Sequence, residues 1–227
     1  MNTLSSESGV IWDMDGTLVD TADLHFAAWS IVARELDYPF TKADFAATFG
    51  RRNPEIIQHL FQKPFSETEM AELADRKESL YREAARAGIT LLPGVRPLLE
   101  ALGRNGIRQA IGSSAPRANL ELILELTDTR HFFDAVVSME DTTQGKPDPQ
   151  VFLVAAAKLG VPPHRCTVIE DAVAGVQAAK AGGMTCIGVT TGGHATAEAL
   201  QAAGADFVTA SLEHVTPEMI VELGKQN

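Results

Sequence analysis

The chain has 227 residues, 45% of them hydrophobic and 22% charged, a composition typical of a globular protein with a large apolar core. This length accommodates one α/β domain, or a core domain that carries a smaller inserted one. The 19 basic and 30 acidic residues give a formal net charge of −11, which argues against a general affinity for nucleic acid or for anionic membrane surfaces.

The N-terminus and the cysteines indicate where the protein resides. The opening residues MNTLSSESGV contain neither the basic nor the apolar region of a secretory signal peptide. The longest apolar runs, such as VFLVAAA from Val151, are far shorter than the roughly 20 residues of a membrane-spanning helix. Cys166 and Cys186 lie in apolar segments, so we expect buried thiols without a disulfide. These features predict a cytoplasmic protein.

Short apolar runs rich in β-branched residues predict six strands. They are GVIW from residue 9, IRQAIG from 107, DAVVSM from 134, CTVIED from 166, TCIGVT from 185 and ADFVTA from 205. Because these runs are continuously apolar rather than alternating, they favour a parallel sheet that is covered on both faces. Helical patterns starting near residues 95, 115, 149, 172 and 195 separate most of them. The alternation predicts an α/β fold with a doubly wound parallel (Rossmann-like) sheet.

One segment departs from this alternation. Between the first and second strands, helical patterns begin near residues 22, 41, 53 and 66, and no convincing strand pattern separates them. The last pattern starts with Ser66 and has Glu69 three residues later, which is the spacing of a capping box. We therefore predict an α/β core domain formed by residues 1–19 and 90–227, with a four-helix domain inserted at residues 20–89.

Polar side chains follow the predicted strands at the points where the strands end. They are Asp13 and Asp15 after the first strand, Ser113 and Ser114 after the second, Lys146 after the third, and Glu170 and Asp171 after the fourth. Ligands of open α/β sheets bind beyond the carboxyl ends of the strands, so we expect these side chains to form one site.

The chemistry of these side chains predicts phosphoryl transfer. Four carboxylates cannot lie close together in ionised form without a cation, and Mg²⁺ prefers their oxygen ligands. Lys146 and the Ser113 hydroxyl would then hold phosphate oxygens. Asp13 is the candidate nucleophile, and Asp15 is the candidate acid and base.

Each of these residues also has a structural interpretation. The two aspartates are ordinary turn or capping residues elsewhere, and Lys146 alone would be a surface lysine. Ser113 or Ser114 is expected to cap the helix that Pro116 opens, whether or not it also binds phosphate. The convergence of all these side chains on one edge favours the functional interpretation.

The segments DMDGT, IGSSA, GKPDP and VIEDA resemble the four ordered motifs of the haloacid dehalogenase superfamily of phosphotransferases. The inserted helices resemble the cap domain of the subgroup that contains β-phosphoglucomutase and small phosphosugar phosphatases. This resemblance implies that the cap closes over the substrate. It also implies Mg²⁺ bound by Asp13, the backbone carbonyl of Asp15, Glu170 and Asp171, with Thr17, Ser113, Ser114 and Lys146 around the phosphoryl group.

The inserted segment bears on the choice between mutase and phosphatase. DTADLHFAAW, with His25 and Trp29, and RKESLY, with Lys77, resemble substrate-contacting segments of the mutase. In FGRRNPEII, however, Arg51 or Arg52 would have to replace an arginine that the mutase has elsewhere. In SSAPRA an alanine and a proline stand where the mutase has donors for a second phosphoryl group.

We therefore predict a Mg²⁺-dependent phosphatase of small phosphorylated metabolites, in particular phosphosugars, acting through an aspartyl phosphate. The alternative is a β-phosphoglucomutase that interconverts β-glucose 1-phosphate and glucose 6-phosphate. A more remote alternative is a receiver-like phospho-acceptor without turnover. We expect a monomer whose partner is a small phosphorylated metabolite, with neither nucleic acid nor membrane as a partner.

Overall fold

The computed structural model describes residues 8–61 and 63–225. The strands are β1 (Gly9–Trp12), β2 (Arg108–Gly112), β3 (Ala135–Val137), β4 (Cys166–Glu170), β5 (Thr185–Val189) and β6 (Phe207–Thr209). They form one sheet in the order β3-β2-β1-β4-β5-β6, and every neighbouring pair is parallel. The prediction of a doubly wound parallel α/β sheet is confirmed.

The helices fall into an inserted group and a group that covers the sheet. The inserted helices are α1 (Ala22–Glu35), α2 (Lys42–Thr48), α3 (Asn53–Phe61) and α4 (Glu67–Ala85). The others are α5 (Val95–Arg104), α6 (Arg117–Leu126), α7 (Gln150–Leu159), α8 (Val173–Ala181), α9 (Ala197–Ala202) and α10 (Pro217–Leu223). Helix α10, with 7 residues, was not predicted.

The two faces of the sheet pack against different helices because side chains alternate along each strand. In β1, Val10 and Trp12 belong to one apolar cluster, which includes residues of α5, α6 and α10. Ile11, between them, belongs to a second cluster, which includes residues of α7, α8 and α9. A strand that is buried on both faces is continuously apolar, which is why GVIW shows no alternation.

The inserted helices have an apolar cluster of their own, which includes Trp29, Ile57, Leu60 and Phe61. Ser66 and Glu69 form the predicted capping box at the start of α4. The two chain segments that lead into and out of the insertion run side by side, since Val19 and Leu91 form an antiparallel bridge. These contacts agree with an inserted domain, and its boundaries at residues 20–89 remain a prediction. The outermost residues of the predicted core domain, 1–7 and 226–227, lie outside the described residues.

The two cysteines are buried and unpaired, as predicted. Burial raises the pKa of the Cys166 thiol to about 12, so this thiol is protonated and unreactive at neutral pH. Among residues 8–61 and 63–225, no helix combines the length and the apolar character needed to cross a membrane.

Candidate active site

The strand order places the ends of β1 and β4 next to each other. The chain leaves β1 to form β2 and β3 on one side and returns to form β4 on the other, so strand order reverses at this point. Trp12 is in register with Ile169, and the backbone N–H of Asp13 donates to the Ile169 carbonyl at 3.0 Å. Asp13 and Glu170 therefore follow at the same level of the sheet, where ligands of such folds bind.

A buried acidic cluster lies at this edge. Asp13, Glu170 and Asp171 each present a carboxylate oxygen, and these oxygens all lie within 4.8 Å of one another. Lys146 Nζ lies between two of these residues, 2.7 Å from Asp13 Oδ1 and 2.7 Å from Glu170 Oε1. One lysine thus partly neutralises three buried carboxylates, and the site retains an excess of negative charge.

The pKa values within the cluster reflect this excess. Burial raises the pKa of Asp13 to about 7; Lys146 opposes this shift and Glu170 adds to it. Burial and the neighbouring Glu170 and Asp13 carboxylates also raise the pKa of Asp171. Oδ2 of Asp171 is buried and has no hydrogen-bond partner. An unpaired oxygen within a cluster of carboxylates fits a hard divalent cation such as Mg²⁺.

The side chain of Asp15 faces the inserted helices. Its Oδ1 lies 2.5 Å from Thr21 Oγ1, 3.2 Å from His25 Nε2 and 3.4 Å from the Tyr81 hydroxyl. Burial acts to raise the pKa of Asp15, but His25 and the Thr21 hydroxyl lower it to about 2. The two aspartates of one loop therefore occupy opposite electrostatic environments.

His25 and Lys77 continue from Asp15 as a chain of hydrogen bonds. Lys77 Nζ lies 2.7 Å from His25 Nδ1, and His25 Nε2 lies 3.2 Å from Asp15 Oδ1, so the ring links the lysine to the aspartate. The His25 ring stacks on Tyr81 with 4.2 Å between centroids, which holds its orientation. Tyr81 was not predicted as a site residue, because a tyrosine within an amphipathic helix carries no distinctive sequence signal.

Most of the predicted site residues line a single cavity between the sheet edge and the inserted helices. They are Asp13, Asp15, His25, Trp29, Arg51, Lys77, Ser113, Ser114, Lys146 and Asp171. Glu170 is fully buried and does not line the cavity; its Oε1 accepts from Lys146 and its Oε2 accepts from the backbone N–H of Ala172.

Thr17 and Arg52 do not line this cavity. Thr17 is fully buried, and its hydroxyl is 3.5 Å from Asp171 Oδ1, so it lies behind the acidic cluster. The Arg52 guanidinium donates to the backbone carbonyls of Thr142 and Gln144, which joins the insertion to a loop of the core. Of the two arginines that the sequence left as alternatives, Arg51 is the one that faces the cavity.

The expected helix cap by Ser113 or Ser114 is wrong. Helix α6 begins after Pro116, which offers no side-chain cap, and the Glu140 carboxylate accepts from the backbone N–H of Arg117 instead. Ser113 Oγ instead accepts from the Ala115 backbone N–H at 3.1 Å, and Ser114 Oγ is buried without a partner. Ala115 and Pro116 lie between Ser114 and the first residue of the helix, so neither serine occupies the N-cap position.

Several residues that line the cavity were not predicted, and Glu78 is the one among them with a charged side chain. Its carboxylate accepts from Asn53 of α3 at 2.7 Å and from Asn119 of α6 at 2.6 Å. Phe49 of the insertion stacks on His194 of the core with 4.1 Å between centroids. A buried glutamate on a charged helix has no sequence signal, because the pattern of α4 suits an exposed charge equally well.

The sequence model of the haloacid dehalogenase-like hydrolase family matches residues 10–189, which contain all the residues of this cavity. The chain belongs to this family. The resemblance of its four motifs is thereby confirmed, as is the prediction of an enzyme. This family membership argues against a receiver-like phospho-acceptor without turnover.

Relatives of this family member include both a mutase and a phosphatase. The β-phosphoglucomutase of Bacillus subtilis is 34% identical over 224 residues, which cover 96% of this chain and 95% of that protein. Fructose-1-phosphate phosphatase YqaB of Escherichia coli is 33% identical over 182 residues, covering 80% and 96%. The crystal structure of β-phosphoglucomutase from Clostridium difficile matches with a TM-score of 0.87 and 27% identity, covering 96% of this chain and 97% of that one.

Proposed function

We propose that this chain is a Mg²⁺-dependent phosphatase of small phosphorylated sugars that acts through an aspartyl phosphate on Asp13. The contrast between the two aspartates of the β1 loop carries the proposal. Asp13 is buried against Lys146 with a pKa raised to about 7, and Asp15 faces His25 with a pKa lowered to about 2. Asp13, beside Lys146 and the other two carboxylates, is placed to receive the phosphoryl group, and a bound cation would lower its raised pKa. Asp15, which faces the inserted helices, is placed to exchange a proton with the substrate oxygen.

Asp13, Glu170 and Asp171 would hold the Mg²⁺, with the backbone carbonyl of Asp15 as a further ligand. The proximity of the three carboxylates and the unpartnered Oδ2 of Asp171 support this assignment. When bound, the ion would supply positive charge that offsets both the carboxylates and the phosphoryl oxygens. Lys146 and the Ser113 and Ser114 hydroxyls would contact the remaining phosphoryl oxygens.

In the first half of the proposed reaction, a carboxylate oxygen of Asp13 attacks phosphorus. The bond between phosphorus and the sugar oxygen breaks, and this oxygen takes a proton from Asp15. In the second half, Asp15 takes a proton from water, the water oxygen attacks phosphorus, and the Asp13 carboxylate leaves. Asp15 is ionised in the resting enzyme, so its acid role requires that the entering anionic phosphoryl group raise its pKa.

Two features support a phosphosugar as the substrate class. The cavity combines cationic and hydroxyl groups beside the acidic cluster with amide and aromatic groups, Asn53 and Trp29, on its cap side. The names of two relatives that match along most of their own length, a β-phosphoglucomutase and a fructose-1-phosphate phosphatase, refer to sugar phosphates.

A β-phosphoglucomutase is the second candidate. The hydrogen-bonded chain from Asp15 through His25 to Lys77 favours it, since it links the proton-transfer group to a cap lysine. Against it, Ala115 and Pro116 line the cavity without side-chain donors for a second phosphoryl group. A mutase must hold a bisphosphorylated intermediate in both orientations, whereas a phosphatase needs one phosphate site and a water.

The deciding experiment incubates the protein with Mg²⁺, β-glucose 1-phosphate and a trace of the 1,6-bisphosphate. Glucose 6-phosphate and free phosphate are followed in parallel, and a wider panel of phosphosugars is assayed for phosphate release. Phosphate release supports the proposal, and glucose 6-phosphate without phosphate release identifies the mutase. The Asp13→Asn variant is the control, and turnover near the wild-type rate by this variant would remove Asp13 from the nucleophile role.

We further propose a monomeric, cytoplasmic enzyme. The two free, buried thiols support a reducing compartment. The net charge of −11 supports a small anionic metabolite, recognised by local cations, rather than nucleic acid or a membrane surface as the partner. Sedimentation velocity tests the monomer, which a dimer at micromolar concentration would contradict.

A further inference from the structure

Glu78 is a buried charge that the proposed chemistry does not use. It lies on α4, is 4% exposed and lines the cavity on the side of the inserted helices. Its Oε1 accepts from Lys77 Nζ and from Asn53 Nδ2, both at 2.7 Å. Its Oε2 accepts from Asn119 Nδ2 at 2.6 Å. Every one of these contacts is a donor to a carboxylate, so the network favours the ionised form.

The pKa of Glu78 agrees with an ionised carboxylate beside Lys77. Burial acts to raise the pKa of Glu78, but Lys77 and His25 outweigh it, and the pKa lies below its usual range. Lys77 in turn uses its ammonium hydrogens on two partners, Glu78 Oε1 and His25 Nδ1. The charge of Lys77 is therefore neutralised by Glu78 and is not free to bind an anion.

The other cations of the cavity leave little for a second anionic group. Lys146 lies between Asp13 and Glu170, which places its charge at the acidic cluster. Among the described residues that line the cavity, Arg51 is the remaining lysine or arginine. A second phosphoryl group, with a charge of about −2, would meet one arginine and one buried carboxylate on the cap side.

We propose that Glu78 is a specificity-determining residue that restricts the site to substrates with one phosphoryl group and an uncharged remainder. This inference rests on the proposed phosphosugar function and deepens it. Like charges brought together in a desolvated site oppose binding strongly, and such repulsion is a recognised source of specificity. Glu78 does this in two ways, by its own charge and by occupying Lys77.

Binding to an inactive enzyme tests the inference separately from turnover. In the Asp13→Asn background with Mg²⁺, calorimetry measures Kd for fructose 1-phosphate, fructose 6-phosphate and fructose 1,6-bisphosphate. We expect the bisphosphate to bind at least about tenfold more weakly than the tighter monophosphate, or about 1.4 kcal/mol. Adding Glu78→Gln should reduce this ratio by about tenfold, because the amide removes the negative charge and frees that of Lys77.

The controls separate charge from fold. Glu72→Gln makes the same change at an exposed position of α4 and should leave the ratio unchanged. Lys77→Met leaves the Glu78 charge uncompensated and should increase the ratio, which provides a test in the opposite direction if Glu78→Gln fails to fold. Glu78→Asp keeps the charge and should keep the preference for monophosphates.

Three outcomes would overturn the inference. They are equal affinities of the Asp13→Asn protein for the bisphosphate and the tighter monophosphate, a ratio of these affinities that Glu78→Gln leaves unchanged, and no binding of any of the three ligands. Phosphate release by the wild-type enzyme is measured on the same compounds. If the Asp13→Asn protein binds the ligands as expected but the wild type releases no phosphate, the proposed function is contradicted and the inference is left intact. If the wild type hydrolyses the monophosphates but the affinity ratio is unchanged in Glu78→Gln, the proposed function is supported and the inference about Glu78 is contradicted.

Discussion

Replacing Lys146 by methionine removes the ammonium group that contacts Asp13 and Glu170 in the acidic cluster. Its Nζ lies 2.7 Å from an oxygen of Asp13 and 2.7 Å from an oxygen of Glu170, and all three residues are buried. Methionine keeps an unbranched apolar stem and can pack against the Phe152 ring, whose centroid is 4.8 Å from Nζ. The change therefore deletes a charge with little loss of volume.

The expected loss of stability is large and depends on pH. Removing one partner of a buried ion pair costs about 3–5 kcal/mol, because the remaining charge stays buried. In metal-free protein a carboxyl of the cluster relieves part of this loss by taking up a proton. The folded variant then holds a proton that the unfolded chain releases, so its stability falls as pH rises, by up to about 1.4 kcal/mol per pH unit.

Urea unfolding in EDTA at about pH 6 and pH 8 measures both effects. Lys158→Met is the matched control, since Lys158 contacts Asp141 at the surface and its side chain is 41% exposed. We expect the control to lose less than about 1 kcal/mol at either pH. Equal losses for the two variants, or a loss in Lys146→Met that does not grow with pH, would refute the reasoning. Excess Mg²⁺ should reduce the loss, because a bound cation replaces the missing positive charge.

Three further measurements address other parts of the site. Burial raises the pKa of Asp13 from its ordinary value of 3.8 to about 7, so the metal-free folded protein retains a proton that the unfolded chain releases. Its free energy of unfolding should therefore fall as pH rises from about 4 to about 7. Urea unfolding in EDTA should show this decline, and Mg²⁺ should diminish it. Arg51→Ala should raise KM for phosphosugars severalfold because Arg51 faces the cavity, and a larger KM effect from Arg52→Ala would reverse this assignment. Trp29→Ala should cost about 3–5 kcal/mol in free energy of unfolding by leaving a cavity in the cluster of the inserted helices, and a loss below about 1 kcal/mol would contradict that packing.

Much of the fold is encoded in local patterns. The continuous apolar runs, such as GVIW and CTVIE, predicted the strands because a strand buried on both faces needs no alternation. The helical periods predicted the insertion, and the Ser66–Glu69 spacing predicted where α4 begins. These features depend on residues close to one another in the chain, so the sequence contains them in readable form.

The core of the site was also predictable, for a topological reason. Parallel strands bring their carboxyl ends to one edge, so Asp13, Lys146 and Glu170 meet although they are far apart in the chain. Knowing that each follows a strand was sufficient to group them. The order of the four motifs that contain them then indicated the family.

The cap side of the cavity was decided only by tertiary packing. The sequence left Arg51 and Arg52 as equal alternatives, and the helix-to-core docking turns Arg51 to the cavity and Arg52 to the Thr142 carbonyl. Glu78 becomes a buried, hydrogen-bonded charge because α4 docks against Asn119 of α6, 41 residues later in the chain. No local pattern distinguishes such a residue from an exposed glutamate, since burial depends on which surface of another element the helix covers. The sequence by itself therefore determined the sheet and its acidic edge, whereas only the docking of the inserted helices decided which of their side chains face the cavity.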